Sequence, residues 1–485
     1  MTAPDLIALS PLIVLAFTAL AVLLSIAIRR HHGAAAGVAL LGLAASFASL
    51  RWAAAVTPRQ VTALLLIDAY ALFYWGVLLL LAAGVLLLAY SYLERQTEHQ
   101  EEFYCLLLLA TAGGFALVSA SHLASLFLGF EILSVSLYAL IAYLHLKRLP
   151  LEAGLKYLVL AATSSAFLLF GMALLYAETG SMQLATLARG YLGAAPMGAA
   201  GWAGTVMMLT GIGFKLAVVP FHLWTPDVYQ GAPLPTTALV ATISKGSVFA
   251  LLLRWFHPAG SLAGTPLWWA FVIMAAASML AGNLLALRQD NVKRLLAYSS
   301  IAHMGYLLVA FVAAGPLAVQ AATYYLLAYV VTILGAFGVM SVLSSGEDGT
   351  HEESCELEDY RGLFWQRPVL ATVFAAMLLS LAGIPLTAGF LGKFYVMAAG
   401  ASSALWMLLL VLVVSSTIGL YYYLRVLVVL FSALPEDHVQ VMLPRRRVPA
   451  GAGFSLAALV LLLFAFGLYP APLSDLIRTI STGLG

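Results

Sequence analysis

The chain has 485 residues, 63% hydrophobic and only 9% charged, with a mean hydropathy of +1.00, where an average soluble domain carries ~25% charge. This excludes a soluble globular protein and points to an all-α polytopic membrane protein. The net charge of +2 is scattered over loops, which excludes a nucleic-acid partner, and the only two cysteines, Cys105 and Cys355, offer neither a disulfide framework nor a C-x-x-C metal or iron–sulfur site.

Each crossing needs ~20 apolar residues. In chain order, runs of that length fall near 5–28, 33–54, 67–92, 104–120, 122–145, 153–176, 203–224, 233–256, 266–287, 295–314, 317–344, 368–397, 402–431 and 452–471, about fourteen transmembrane helices in all. The opening MTAPDLIALSP lacks the basic region of a cleaved signal and leads straight into the first run, so that helix is expected to be retained. The organisation expected is three N-terminal helices (1–103), a five-helix unit (104–256), a second five-helix unit (266–431) and a last helix (432–485). Two stretches stay uncovered. Residues 177–202 are Gly/Ala-rich and suit an interfacial helix or hairpin, and 345–367 holds the acidic run EDGTHEESCELED (347–359), which reads as a solvated loop rather than a metal site.

Orientation follows from Lys and Arg in the loops. One side holds Arg29, Arg30, Arg95, Lys147, Arg148, Arg288, Lys293, Arg294, Arg361, Arg367, Arg445, Arg446 and Arg447; the other holds Arg51, Arg59, Arg189, Arg254 and Arg478. This bias places both termini on the outer face, with Arg425 near a helix end and free to snorkel.

Four lysines, Lys156, Lys215, Lys245 and Lys393, fall within predicted spans, and among acidic residues only Glu131 sits deep in one. Each costs ~2.5–3.5 kcal/mol at a helix centre on insertion scales. At 1.5 Å per residue Glu131 lies ~13 Å into its helix, and Lys215 and Lys245 ~18 Å into theirs, close to the midplane. Lys156 lies one turn inside its span, where a snorkelled interface lysine is an equal reading.

Two spans carry breaks. In GFKLAVVPFHLWTPDVYQGAP (213–233), Pro220 lacks an amide hydrogen and crowds the carbonyl four residues back, at Leu216, freeing a polar group beside Lys215. In LAGIPLTAGFLGKFY (381–395), Gly383, Pro385 and Gly389 loosen the helix before Lys393. Such backbone must face protein or a water-filled cavity. Each break falls in the fourth helix of its five-helix unit, and an odd number of helices makes the units inverted repeats, the arrangement that points to a transport site. His303, in SSIAHMGY, holds in the second unit the position that Glu131 holds in the first, which makes it a candidate relay group. His222 lies two residues past Pro220, where capping a carbonyl is the stronger reading. The GIG at 211–213 lacks a dinucleotide-fold context.

Glu131, Lys215 in its PFHLWTPDVYQGAP context, Lys245 in ISKGS, the QDNVKRLLAYSSIAHMGY stretch (289–306) and the GIPLTAGFLGKF stretch (383–394) together resemble the antiporter-like membrane subunits of respiratory complex I. Nearly the whole chain is covered, most strongly 121–400. The chain ends soon after the last span, unlike the branch with a long C-terminal extension, and carries Lys393 where another branch usually has glutamate. The resemblance implies one proton channel, with Glu131 and Lys215 as the input pair, Lys245 as the connecting lysine and Lys393 as the exit. It implies no cofactor on this chain; NADH, FMN, iron–sulfur clusters and quinone belong to the wider complex. It implies as partners a neighbouring antiporter-like subunit, small K-type and J-type subunits and lipids, in a bacterial inner membrane. A subunit of a cation/proton antiporter or membrane-bound hydrogenase, and a passive scaffold pinned by buried charges, are the alternatives.

Overall fold

The computed structural model describes every residue except 97–98, 192–196, 258–259, 314, 345–352, 354, 434–447 and 482–485. Arg445, Arg446, Arg447 and the acidic residues 347–352 therefore lie outside the described residues.

In chain order the helices are α1 (Ala3–Ala8), α2 (Ser10–Ile28), α3 (His32–Ala54), α4 (Ala69–Gln96), α5 (Glu102–Ser119), α6 (Leu123–Ile141), α7 (Arg148–Thr179), α8 (Leu184–Gly190), α9 (Ala199–Leu216), α10 (Trp224–Gly231), α11 (Leu234–Leu239), α12 (Lys245–Phe256), α13 (Pro266–Ala286), α14 (Val292–Ala313), α15 (Gly315–Leu343), α16 (Leu363–Gln366), α17 (Pro368–Ala382), α18 (Ala388–Ser402), α19 (Trp406–Phe431), α20 (Ala450–Leu468) and α21 (Ala471–Ser481). Among the described residues twelve helical stretches are long and apolar enough to cross a membrane. The two other predicted runs, 203–224 and 368–397, are each divided, into α9 and α10 and into α17 and α18.

Burial sorts the spans. The stretch Leu234–Phe256, α14 and α15 are almost wholly enclosed, whereas α2, α7, α19 and α20 show mostly exposed Leu, Val and Phe. Helices apolar all round suit a lipid surface, and the enclosed ones carry the polar residues whose groups find partners inside protein. Outside the helices, a small hairpin, β1 (Arg59–Val61) paired antiparallel with β2 (Leu65–Ile67), lies at one end of the bundle, tied to Ala120 through Leu65. The expected interfacial helix in 177–202 is α8, anchored by the His122↔Gln183 bridge.

Both divided helices stop by the same device. At α9, Ala217 adopts the left-handed conformation (φ 60°) and Val218 N donates to Gly213 O at 3.1 Å; at α17, Gly383 (φ 88°) does the same, with Ile384 N donating to Leu379 O at 3.0 Å. This is a Schellman cap. It corrects the expectation that Pro220 ends α9 by crowding Leu216, since the helix has already closed three residues earlier. Glycine suits Gly383, whereas alanine at 217 accepts a strain of ~1–2 kcal/mol. Past the second break a Cβ on Gly389 would meet Ser380 O at 1.9 Å, and one on Gly467 of α20 would meet Leu386 O at 2.2 Å, so glycine is required where neighbouring backbone approaches. Between α11 and α12 the chain makes a π turn, Val240–Ser244, directly before Lys245.

Two sequence expectations change here. Lys293, assigned to a loop, is fully buried in the first turn of α14, and Arg254, assigned to the opposite loops, is buried in the last turn of α12. The acidic run is not simply solvated either: Val292 N donates to Cys355 O at 2.7 Å, Leu357 N donates to Asp290 O at 2.8 Å, and Glu353 reaches Lys293. This end of the bundle, with Asp227, Arg294 and Glu353, is the inner end on the orientation that the Lys/Arg bias of the sequence predicts.

Candidate functional site

Lys215 ends α9 with its ammonium turned into the bundle, 1% exposed. It donates to Tyr157 Oη at 2.9 Å and lies over the rings of Phe130 (5.5 Å) and Tyr157 (5.3 Å). Trp224 closes the break above it, its indole N–H donating to Phe214 O at 2.9 Å, while Val219 N is satisfied by Ser278 Oγ at 2.9 Å. Glu131, half-buried on α6 one residue after Phe130, makes no ion pair with Lys215 among the described residues, and its buried Oε1 has no hydrogen-bond partner. Glu131 and Lys215 are thus not joined by an ion pair, and the lysine is held by the Tyr157 hydroxyl and two rings instead.

Lys245, wholly buried, donates to Ser300 Oγ at 2.5 Å and lies 5.5 Å from the centre of the Tyr229 ring. Ser300 Oγ is also 2.5 Å from Tyr329 Oη and 3.3 Å from Tyr229 Oη. One helical turn on, His303 places Nδ1 at 2.6 Å from Tyr325 Oη and Nε2 at 3.2 Å from Tyr423 Oη, with its ring 5.4 Å from that of Tyr329; Tyr423 in turn hydrogen-bonds Ser299. Tyr306 Oη accepts from Asn283 Nδ2 at 3.0 Å, and Asn283 Oδ1 accepts from Tyr422 Oη at 3.0 Å.

Lys393, 7% exposed in α18, completes the row: its ammonium lies 5.2 Å from the Tyr306 ring and donates to Ala382 O and to Ser416 Oγ, both at 2.9 Å. Ala382 O is the last carbonyl of α17, one of the unpaired acceptors at the negative end of that half-helix. The Gly383–Pro385 break therefore does specific work, because it frees this carbonyl and leaves room for the lysine stem that a Cβ on Gly383 would crowd at 3.0 Å.

The remaining candidates fall elsewhere. His222 is buried with Nδ1 unpartnered, and among the described residues none of the three lysines' hydrogen bonds involves it. Lys156 is on the surface, its side chain 46% exposed, bonded to Glu152 at 2.9 Å and to Asp227 at 3.0 Å, with Asp227 also held by Arg294 at 2.7 Å. The snorkelled reading fits it.

Several functional-site residues escaped the sequence reading. Tyr157, Tyr229, Tyr329, Tyr325 and Tyr423 supply the hydroxyls of the site, yet tyrosine is common in membrane helices and gives no sequence signal by itself. At the opposite end of the bundle Arg254 grips Asp68 with both terminal nitrogens (3.0 and 2.6 Å) over the Tyr70 ring, a buried pair split between two segments far apart in sequence. No group of three or more His, Cys, Asp or Glu able to hold a metal occurs among the described residues.

Comparison with known proteins agrees with this architecture. The family model described as NADH:quinone oxidoreductase/Mrp antiporter, transmembrane, matches residues 120–419. A relative from Ectopseudomonas mendocina, named NADH-quinone oxidoreductase subunit N, is 49% identical over 98% of this chain and 97% of its own. A chain of respiratory complex I from Thermus thermophilus, solved with bound aureothin, is 34% identical, with 96% of this chain and 98% of that one aligned at a TM-score of 0.80. Chains of the Mrp complex from Dietzia sp. (20% identical, TM-score 0.85, 100% and 98% covered) and of an archaeal membrane-bound sulfane sulfur reductase (23%, 0.81, 99% and 97%) share the fold. The chain belongs to the NADH:quinone oxidoreductase/Mrp antiporter family of membrane subunits.

Proposed function

We propose that this chain is a proton-translocating subunit of the membrane arm of an NADH-quinone oxidoreductase. Quinone reduction drives it from elsewhere in the complex, and the wider complex uses NADH, FMN, iron–sulfur clusters and quinone. The observation that supports it most is the row Lys215, Lys245, Lys393: three buried ammoniums, each held by hydroxyl, ring or carbonyl groups, with no carboxylate within 4 Å among the described residues. A lysine meant only to pin helices would have its charge matched by a carboxylate. A lysine bonded to hydroxyls keeps partners in both protonation states, because a hydroxyl accepts from an ammonium and donates to an amine.

In this reading Glu131 and Lys215 form the input, and a change of charge at Glu131 alters the cost of charge at Lys215 through space. The proton moves to Lys245, then by way of Ser300, Tyr329 and His303 toward Lys393, with waters joining groups not in direct contact. The two divided helices occupy corresponding places in two inverted five-helix units, α5–α12 and α13–α19. Both termini lie on the outer face of a bacterial inner membrane, beside another antiporter-like subunit, the small K-type and J-type subunits and lipids. Protease access to an inserted site near residue 200 in sealed vesicles checks that orientation.

Arginine keeps the charge but does not release a proton in a protein. Lys245→Arg should assemble, sustain electron transfer, and lose as many pumped protons per electron pair as Lys245→Ala. Full pumping with arginine would leave a scaffold.

A further inference from the structure

The carboxylate of Glu353 is the meeting point of four segments at the inner end. Its Oε2 accepts from Lys293 Nζ at 2.5 Å, its Oε1 accepts from Leu234 N at 3.2 Å and from the Tyr92 hydroxyl, and Cys355 Sγ lies 3.8 Å away. Lys293 Nζ also donates to Ala232 O at 2.6 Å. The side chain of Lys293 is 0% exposed and that of Glu353 15%, so the pair grades from water into the protein. No step of the path described above uses either residue.

We infer that Glu353 and Lys293 form the aqueous port through which protons from the inner side reach Lys245. This rests on the proton-translocation reading, with the charge at Glu131 and Lys215 driving the step onward from Lys245 and the port refilling Lys245 from the inner water. The pair sits on the elements that hold Lys245. Seven residues after Lys293 on α14, two turns and ~10.5 Å along the same face, is Ser300, the acceptor of Lys245. Three residues before Ala232, on α10, is Tyr229, whose hydroxyl is 3.3 Å from the same Ser300 oxygen. The port requires a short file of waters between α10 and α14 to span the gap. Leu234 N is the first amide of the helical stretch that carries Lys245, so the carboxylate also sits at its positive end.

The transfer balances. Lys293 as ammonium gives its proton inward and becomes an amine; Glu353, protonated from the inner water, passes its proton to that amine and returns to carboxylate. One proton has moved, and both groups are as they began.

Glu353→Gln tests the port, since glutamine still offers an oxygen to Leu234 N and Tyr92 but carries no proton. In sealed vesicles with equal amounts of assembled complex, it should keep electron transfer and lose the same share of pumped protons per electron pair as Lys245→Ala, and the double variant should lose no more than either. Wild-type pumping by Glu353→Gln beside impaired Lys245→Ala overturns the port alone; wild-type pumping by Lys245→Ala overturns the parent reading and the port with it. A purely structural latch is separated by a lock. Asn291 and Glu356 face each other across an antiparallel bridge, so Asn291→Cys with Glu356→Cys, in a Cys355→Ser background, can be oxidised to fix the segment. If Glu353→Gln still fails to pump in the oxidised lock, the port stands; if oxidation restores pumping, Glu353 is only a latch.

Discussion

Around Lys215 the protein supplies rings and a single hydroxyl; around Lys245, His303 and Lys393 it supplies hydroxyls on several helices. Two regions of one fold thus treat the same buried cation differently. The Lys215 pocket suits a switch. Glu131 lies beyond ion-pair distance, so at an effective dielectric of ~20 its attraction is below about 4 kcal/mol, enough to bias a proton without locking it. The second region suits conduction, because its groups form short hydrogen-bonded sets, Lys245–Ser300–Tyr329 and His303–Tyr423–Ser299, lying side by side.

The contrast is sharpest at Tyr157. Tyr157→Phe removes the one hydrogen bond to Lys215 and leaves a buried ammonium without an acceptor, a cost of ~1–3 kcal/mol or more for a charged group. Pumping by assembled complex should fall to the level of Lys215→Ala, and pumping near wild type would show that the rings alone hold the lysine. Next in size is Glu131→Gln, which removes the charge but no contact, since Oε1 has no partner to lose. Thermal stability should change by no more than ~0.5 kcal/mol, in the range of an uninvolved surface substitution, while pumping falls clearly, and Glu131→Asp should be milder. A loss of stability in the glutamine variant would mean that Glu131 is structural.

The hydroxyl-rich region should be more forgiving. Ser300→Ala takes the hydroxyl from Lys245 but leaves the Tyr229 ring beneath it and Tyr329 close by, where a water can take the place of the oxygen; a several-fold slower proton transfer with normal assembly is expected, read as pumping at high turnover. Smallest is Ser416→Ala, because Lys393 keeps the Ala382 carbonyl. Its pumping should stay within error of wild type, and a loss as large as that of Tyr157→Phe would erase the distinction between the regions.

The apolar helices and the buried lysines were legible in the sequence because a charge in a long apolar run stands out against a strong energetic penalty. What surrounds the lysines was not. Tyr325 and Tyr423 read as ordinary apolar-compatible residues, and only packing of α14, α15 and α19 brings them to His303. Asp68 and Arg254 each fall at a span end, where a charge costs little, so neither signalled that the fold buries them together. Lys293 was misplaced for the same reason. The breaks were located by proline and glycine, but their shared mechanism lies in backbone angles, and at Ala217 the residue type gives no hint of a left-handed cap.

The π turn before Lys245 has a consequence for chain length. A π turn holds one residue more than the α-helical turn it replaces, and each residue of an α-helix turns the side chain by ~100°. Deleting any one residue of Val240–Ser244 therefore has a natural outcome: the helix closes into regular α geometry and α11 keeps its seat. Both turns sweep about one revolution, so everything from Lys245 onward would keep nearly its bearing, with the ammonium near Ser300 and Arg254 near Asp68. A deletion within Lys245–Phe256, where no wide turn absorbs it, would instead swing Arg254 by ~100° off Asp68. The π turn is the place where this helix can lose a residue without losing the aim of its lysine.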